Sequence, residues 1–196
     1  LENIQPQLSR SLLAHQQNAR VEELRDAKYQ RILESNPALS LLKGYARFKN
    51  ENTLLVQKSD GSEEELVADR ILIATGSTPS IPPIEGLVDT PYWTSTEALF
   101  TEELPSSLIV IGSSVVALEI AQAYARLGSS VTVLARHTLL YAEDPLLGEK
   151  LTECFEKEGI RVLNNTQASH VSYGSNGFTL ETNEGTLIAE KLLIST

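Results

Sequence analysis

Residues 108–119 read LIVIGSSVVALE, and this stretch decides the fold. The apolar run Leu108–Ile111 predicts a buried strand, Gly112 a tight turn, and the small residues after it the start of a helix. The first N–H groups of such a helix are free and its positive dipole end attracts anions, so the turn can hold a pyrophosphate. Ala117 is small enough for the helix to pack closely on the strand. The stretch therefore predicts a nucleotide site.

Ser114 is the departure from the dinucleotide-binding pattern, because it occupies the position of the second glycine, where the backbone must approach the phosphate closely. A serine can fit there, and its hydroxyl can donate to a phosphate oxygen. The alternative is an ordinary strand-to-helix turn capped by serine. The strand before the turn, the helix after it and a second strand in its expected place favour the nucleotide site.

The rest of the C-terminal half repeats the strand and helix pattern. Helices are predicted over Val115–Leu127 and Pro145–Glu158, and strands over 131–134 and 160–163. This rhythm implies right-handed crossovers and a parallel sheet, hence an α/β fold. Further strands are predicted at 168–173, 178–182, 186–188 and 192–194.

The end of the second strand bears on which nucleotide is bound. An acidic residue there would accept a hydrogen bond from a ribose 2′-OH, whereas an arginine would pair with a 2′-phosphate. Ala135 is followed at once by Arg136, which favours NADP over NAD, the alternative being a solvated surface arginine. His137 can assist when protonated, although such a histidine is more often merely exposed.

The N-terminal half has a different pattern. A long, largely solvated helix is predicted over about Ser9–Glu34. An antiparallel meander is predicted next, and the segment Gly76–Gly86 contains three prolines, which indicates a domain boundary. The meander strands are predicted at 39–48, 53–58, 65–67 and 70–74.

Composition narrows the possible partners. The chain has 196 residues, with 26 acidic and 16 basic side chains and a net charge of −10, which disfavours nucleic acid and anionic membrane surfaces. A single cysteine excludes an intrachain disulfide and indicates a reducing compartment, and three scattered histidines give no metal-ligand spacing, so no metal site is predicted. The absence of methionine and the apolar end of the chain suggest an internal piece of a longer protein.

Four weaker candidates remain. Cys154 is interpreted as a small core residue beside Leu151 and Phe155 rather than a nucleophile. His15 and His170 are expected to be solvated or to pack. Tyr92 and Trp93 are interpreted as an aromatic cluster that anchors the linker, and Glu119 as either a residue that reaches the nicotinamide or a solvated carboxylate.

Longer strings carry a more specific signal than any general fingerprint. The sequences IATGS at 73–77, PYWTSTEAL at 91–99, IGSSVVALE at 111–119 and VTVLAR at 131–136 resemble the mercury-reducing members of the flavin-dependent pyridine nucleotide-disulfide oxidoreductases. The resemblance covers essentially the whole chain. A serine at position 114 is what this family shows.

The resemblance implies part of an FAD-binding domain over 1–79, a linker over 80–106 and most of a Rossmann-like NAD(P)-binding domain over 107–196. It implies that NADPH reduces FAD, FAD reduces a cysteine pair, and the thiols and flavin reduce Hg(II) to Hg(0). The residues it assigns to FAD are Ala46, Thr75 and Gly76, and those it assigns to NADP(H) are Gly112, Ser113, Ser114, Val115, Val116, Glu119 and Arg136. A second arginine common in NADPH enzymes of the family is replaced by Ala142.

Several parts that the resemblance requires do not occur in the sequence, above all the cysteine pair and the first FAD-binding glycine fingerprint. The chain alone is therefore expected to be catalytically silent, and the parent to be a cytoplasmic homodimer. Two alternatives stay open. An upstream cysteine pair with a C-terminal His-Glu pair would favour a dihydrolipoamide dehydrogenase or glutathione reductase relative. An upstream sequence lacking both cysteine pair and fingerprint would favour a non-redox NADP-binding module.

Overall fold

The computed structural model describes residues 8–196, which form two compact units. One unit comprises residues 8–18 and 78–196, and the other residues 19–77. The helices are α1 (Arg10–Arg25), α2 (Arg31–Ser35), α3 (Ser95–Phe100), α4 (Val115–Leu127) and α5 (Pro145–Lys157). The strands are β1 (Tyr45–Asn50), β2 (Thr53–Gln57), β3 (Glu63–Val67), β4 (Ser107–Ile111), β5 (Ser130–Leu134), β6 (Arg161–Leu163), β7 (Ala168–Gly174), β8 (Gly177–Thr182), β9 (Gly185–Ala189) and β10 (Lys191–Ile194). The division into 1–79, 80–106 and 107–196 by cofactor stays a prediction.

The predicted long helix is present, since α1, a π-helical turn at Asp26–Gln30 and α2 follow one another without a break. Most of its side chains are exposed, and only Arg10 and Ala14 are buried. No helix among residues 8–196 has both the length and the apolar character needed to cross a membrane.

The unit of residues 19–77 contains the predicted antiparallel meander, with strand order β1-β2-β3. Two predicted strands were wrong. The first begins at Tyr45 rather than at Leu39, because Tyr45 already pairs with Gln57 at the end of β2 and nothing extends the ladder further. Residues 70–74 form no strand, because an apolar run forms a strand only beside a partner, and none lies beside it in the part of the chain that the structure describes.

The larger unit has three layers, and the middle layer is a four-stranded parallel sheet of order β10-β4-β5-β6. This sheet confirms the predicted α/β fold. Leu108, Val110 and Val133 face helices α4 and α5. Ile109 and Leu134, at alternate positions, face the antiparallel sheet β7-β8-β9. Burial on both faces explains why the strands read as continuous apolar runs.

Cys154 is exposed, so its interpretation as a core residue was wrong. Leu151 and Phe155 are four residues apart and share the buried face of α5, with Phe155 at 1% exposure. Cys154 precedes Phe155 by one residue and therefore points about 100° away from that face.

The Tyr92-Trp93 segment seals one edge of the parallel sheet. The N–H of Trp93 donates to the Leu192 carbonyl (2.7 Å), and the N–H of Ile194 donates to the Trp93 carbonyl (2.8 Å). Trp93 also lies 6.0 Å from the Tyr124 ring. Burial raises the pKa of Tyr124, so its hydroxyl stays protonated and donates to the Ala98 carbonyl (2.7 Å). Trp93 and Tyr92 thus both pack against the core, as predicted, but in different clusters, Trp93 with the residues of α4 and Tyr92 with those of β7-β8-β9, so the two side chains do not form one aromatic cluster.

Candidate functional site

The candidate site lies at the edge of the parallel sheet where the four strands end. Ile111, Leu134, Leu163 and Ile194 are the last residues of β4, β5, β6 and β10. Because these strands are parallel, the segments that follow them meet at one edge, which is where open α/β sheets bind ligands.

Gly112 forms the turn after β4. Its N–H donates to the Leu134 carbonyl (3.0 Å), and its φ is +130°, which favours glycine. A Cβ at this position would lie 2.1 Å from the carbonyl oxygen of Ser195, just after β10. Gly112 therefore allows the turn to pass directly against the end of β10.

Ser114 caps helix α4. Its Oγ accepts a hydrogen bond from the N–H of Ala117 (3.2 Å) and donates to the Ser195 carbonyl (2.9 Å). A serine hydroxyl has one proton, and here that proton is directed at a backbone oxygen. The expectation that this hydroxyl donates to a phosphate oxygen is therefore not met in this conformation. The serine instead ties the turn to β10.

The N-terminus of α4 has the character of an anion site. Val115 and Val116 are its first two residues, and the N–H groups at these positions of an α-helix have no intrahelical partner. Their side chains are 60% and 46% exposed, and Ser113 is half-buried. Glu119 is exposed and lies one turn further along, on the same face as Val115. The arrangement leaves donor groups and a positive dipole end available to a phosphate.

Arg136 is held by its neighbours while its own side chain is exposed. The N–H of Ala135 donates to the Leu163 carbonyl (3.0 Å), and the N–H of Asn165 donates to the His137 carbonyl (2.9 Å). Within residues 8–196 no carboxylate lies within 4.0 Å of the Arg136 guanidinium. The backbone on both sides of Arg136 is therefore fixed at the ligand-binding edge, and the exposed guanidinium there is suited to an anionic ligand.

The loop between β5 and α5 is anchored by a contact that sequence reasoning missed. Leu139 is 1% exposed, and a Cβ at Gly148 in α5 would lie 2.2 Å from the Leu139 carbonyl oxygen. A glycine inside a helical pattern was the available signal, because it often marks a close approach of another backbone. Gly148 thus lets α5 pack directly on the loop that follows Arg136.

Gly148→Ala is expected to destabilise this unit by about 2 kcal/mol or more, because the new methyl group overlaps the Leu139 carbonyl. Without that overlap, alanine in a helix would be more stable than glycine by up to about 1 kcal/mol. Urea unfolding followed by the fluorescence of Trp93, the single tryptophan, measures the change. Glu149 is exposed and supplies the control, since Glu149→Ala is expected to change the free energy of unfolding by no more than about 0.5 kcal/mol. A stabilised Gly148→Ala protein would contradict the contact.

The residues assigned to FAD belong to the other unit. Ala46 is an exposed residue of β1 paired with Val56. Thr75 and Gly76 are exposed in the irregular segment after β3, and Gly76 has a φ of +71°. Their contact with FAD stays a prediction.

The other titratable candidates form no catalytic cluster. His15 is exposed and lies 3.5 Å from a carboxylate oxygen of Glu102. His170 is half-buried in β7, where its backbone pairs with that of Glu85. Over residues 8–196 the structure contains no group of three side chains able to hold a metal ion.

Comparison with known proteins gives consistent results. The family model described as "Pyridine nucleotide-disulphide oxidoreductase" matches residues 2–196. The chain is 74% identical over its full length to a mercuric reductase of Shewanella putrefaciens and 57% identical over 97% of its length to one of Shigella flexneri. It covers only 35% of each of those proteins, so it spans about a third of the length of these curated relatives.

A similar fold is found in a solved flavoprotein. The Cu(II) complex of the HOCl-induced flavoprotein disulfide reductase RclA from Escherichia coli superposes with a TM-score of 0.87 at 27% sequence identity. The match covers 93% of this chain and 42% of that one.

Proposed function

Because the chain belongs to the pyridine nucleotide-disulphide oxidoreductase family, we propose that it forms the NADP(H)-binding region and part of the FAD-binding region of a flavoprotein that reduces Hg(II) to Hg(0). The whole-chain similarity to mercuric reductases carries the choice of substrate. The turn at Gly112 and the exposed Arg136 at the same sheet edge support the nucleotide assignment.

The residues of the sheet edge fit a dinucleotide phosphate. The N–H groups at the start of α4 would hold the pyrophosphate, and Gly112 leaves no side chain between them and the end of β10. Arg136 would pair with the 2′-phosphate, for which its guanidinium offers several donors in one plane. Val115, Val116 and Glu119 would line the approach of the nicotinamide.

When bound, NADPH supplies a hydride and FAD transfers the two electrons onward, so that the balanced reaction is Hg(II) + NADPH giving Hg(0), NADP⁺ and H⁺. Ala46, Thr75 and Gly76 would contribute backbone and small side chains to the FAD site. Their small size and exposure leave room for a ligand to approach the backbone.

The thiol chemistry would take place outside this chain. Hg(II) is a soft ion that prefers thiolate ligands, and a redox pair needs two cysteines. Cys154 is the single cysteine and lies exposed on α5. We therefore propose that the cysteine pair belongs to the remainder of a longer, cytoplasmic, homodimeric enzyme.

The test uses the purified full-length gene product, assayed for FAD absorbance and for Hg(II)-dependent NADPH oxidation in excess thiol. The proposal predicts a yellow protein whose NADPH oxidation is stimulated by Hg(II) and is slower with NADH. The 196-residue chain alone serves as the control and is expected to show no turnover. Flavin without a mercury response would move the assignment to another disulfide reductase. A colourless, inactive protein would leave only a nucleotide-binding module.

A further inference from the structure

Ser114 makes the last hydrogen bond between the turn after β4 and the end of β10. Within the sheet the two strands are joined by their ladder, which ends where the N–H of Ser195 donates to the Ile111 carbonyl (2.9 Å). Past that point the Oγ of Ser114 donates to the Ser195 carbonyl (2.9 Å). In the part of the chain that the structure describes, no other hydrogen bond joins residues 112–116 to residues 195 and 196. Beyond the ladder, the turn is therefore bonded to β10 through one hydroxyl.

The end of β10 is itself held on two further sides. The N–H of Ile194 donates to the Trp93 carbonyl (2.8 Å), and the hydroxyl of Thr196 donates to the Ser80 carbonyl (3.2 Å). Ile194 is 1% exposed, and Ser195 is half-buried. Ser195 is thus fixed by the residues on both sides of it, so a group that is bonded to its carbonyl is fixed as well.

The same hydroxyl also acts on helix α4. Its oxygen accepts a hydrogen bond from the N–H of Ala117 (3.2 Å), the third residue of the helix. The first two N–H groups, those of Val115 and Val116, have no partner within the helix and stay available to an anion. Because the single proton of the Ser114 hydroxyl is directed at Ser195, the hydroxyl orients these two donors and does not add a third.

We propose that Ser114 is a positioning residue, whose hydroxyl fixes the start of α4 against β10 so that the two free N–H groups point at the pyrophosphate before the dinucleotide binds. This inference rests on the proposed NADP(H) function. A glycine at position 114, as in the common dinucleotide-binding pattern, has no hydroxyl and leaves the turn without a bond to β10. The ligand then has to order the turn, and the backbone freedom that is lost weakens binding.

Ser114→Gly is therefore expected to weaken dinucleotide binding although it restores the usual glycine. The expected factor is about tenfold, which corresponds to fixing the backbone of about one residue. NADP⁺ and NAD⁺ are affected equally, because both contain the pyrophosphate. Loss of the helix cap is not the cause, since glycine replaces serine at a cap with little loss of stability.

Ser129 supplies a matched control at the other end of α4. Its hydroxyl also donates to a backbone carbonyl, that of Pro105 (2.6 Å). Ser129 lies between α4 and β5, and Pro105 lies just before β4, so this bond is at the edge of the sheet where the strands begin. Ser129→Gly removes the same kind of bond away from the proposed nucleotide site.

The experiment is isothermal titration of the FAD-loaded full-length gene product with NADP⁺ and NAD⁺, together with hydrogen exchange of residues 112–118 in the nucleotide-free protein. Ser114→Gly and Ser114→Ala are expected to weaken both dinucleotides about tenfold and to accelerate exchange in this segment before any nucleotide is added. Ser114→Thr keeps the hydroxyl and is expected to restore both readouts. Ser129→Gly is expected to change neither, and Trp93 fluorescence verifies that each variant is folded.

Three outcomes overturn the inference and leave the proposed function intact. Unchanged affinity in Ser114→Gly would show that the bond to Ser195 has no part in binding. Weaker binding without faster exchange in the nucleotide-free protein would make the hydroxyl a direct ligand of the phosphate. Equal weakening in Ser129→Gly would assign the effect to the stability of the whole unit. An unmodified protein that binds neither NADP⁺ nor NAD⁺ would remove the proposed function together with the inference.

Discussion

Gly112→Ala is expected to abolish dinucleotide binding and to lower the free energy of unfolding of the larger unit by more than about 3 kcal/mol. The new methyl group would lie 2.1 Å from the Ser195 carbonyl oxygen, and the φ of +130° is itself unfavourable for alanine. Relief of the overlap requires the turn and the end of β10 to separate, which moves the N-terminus of α4. Urea unfolding monitored by Trp93 and titration with NADP⁺ measure the two effects.

Gly128→Ala separates the overlap from the backbone strain. Gly128 ends the same helix with a φ of +112°, but a Cβ there would meet no atom within 4 Å. Its replacement by alanine is expected to lower the free energy of unfolding by about 1–2 kcal/mol and to leave NADP⁺ binding unchanged. Equal losses of stability in the two variants would show that backbone strain, rather than contact with Ser195, accounts for the effect.

Arg136→Gln is expected to weaken NADPH binding by about tenfold to a hundredfold while NADH binding stays within about twofold. The two cofactors differ only in the 2′-phosphate, so the guanidinium contributes to one and not to the other. Arg136→Lys keeps the positive charge but not the planar set of donors. Its affinity for NADPH is expected to lie between that of the unmodified protein and that of Arg136→Gln. Dissociation constants measured with the full-length gene product test the order.

Arg161→Gln is the control for general electrostatics. Arg161 is also exposed, but it begins β6 and therefore lies at the opposite edge of the sheet from Arg136. Its replacement removes the same charge and is expected to leave both dissociation constants unchanged. If Arg136→Gln weakened the binding of NADPH and of NADH by equal factors, Arg136 would contact a part that the two cofactors share.

The parts of the fold that depend on local pattern were predictable. Leu108–Ile111 is apolar at every position because the strand is buried on both faces, and Ser114 is a strong helix cap. Strand, turn and helix therefore follow from a dozen consecutive residues. The parallel sheet follows from the repetition of that pattern, because right-handed crossovers leave few other arrangements.

The parts that depend on distant partners were not predictable. Residues 70–74 have the composition of a strand but no partner strand in the described part of the chain. The sequence shows the composition of a segment but not whether another strand lies beside it. The Ser195 carbonyl, which accepts the hydrogen bond of the Ser114 hydroxyl, is a backbone group, and no side chain marks it in the sequence. The positive φ of Leu140 is likewise invisible, because leucine rarely adopts that conformation.

The contact between the Gly112 turn and Ser195 also sets an order of events in folding. Ser114 and Ser195 are 81 residues apart, and β5 to β9 lie between the two strands that bring them together. Closure of so long a loop costs chain entropy before the contact is gained, so β10 is expected to join β4 late. The turn then reaches its final form in the last step of refolding. On the ribosome, we therefore expect nucleotide affinity to arise only after residue 195 has emerged from the exit tunnel.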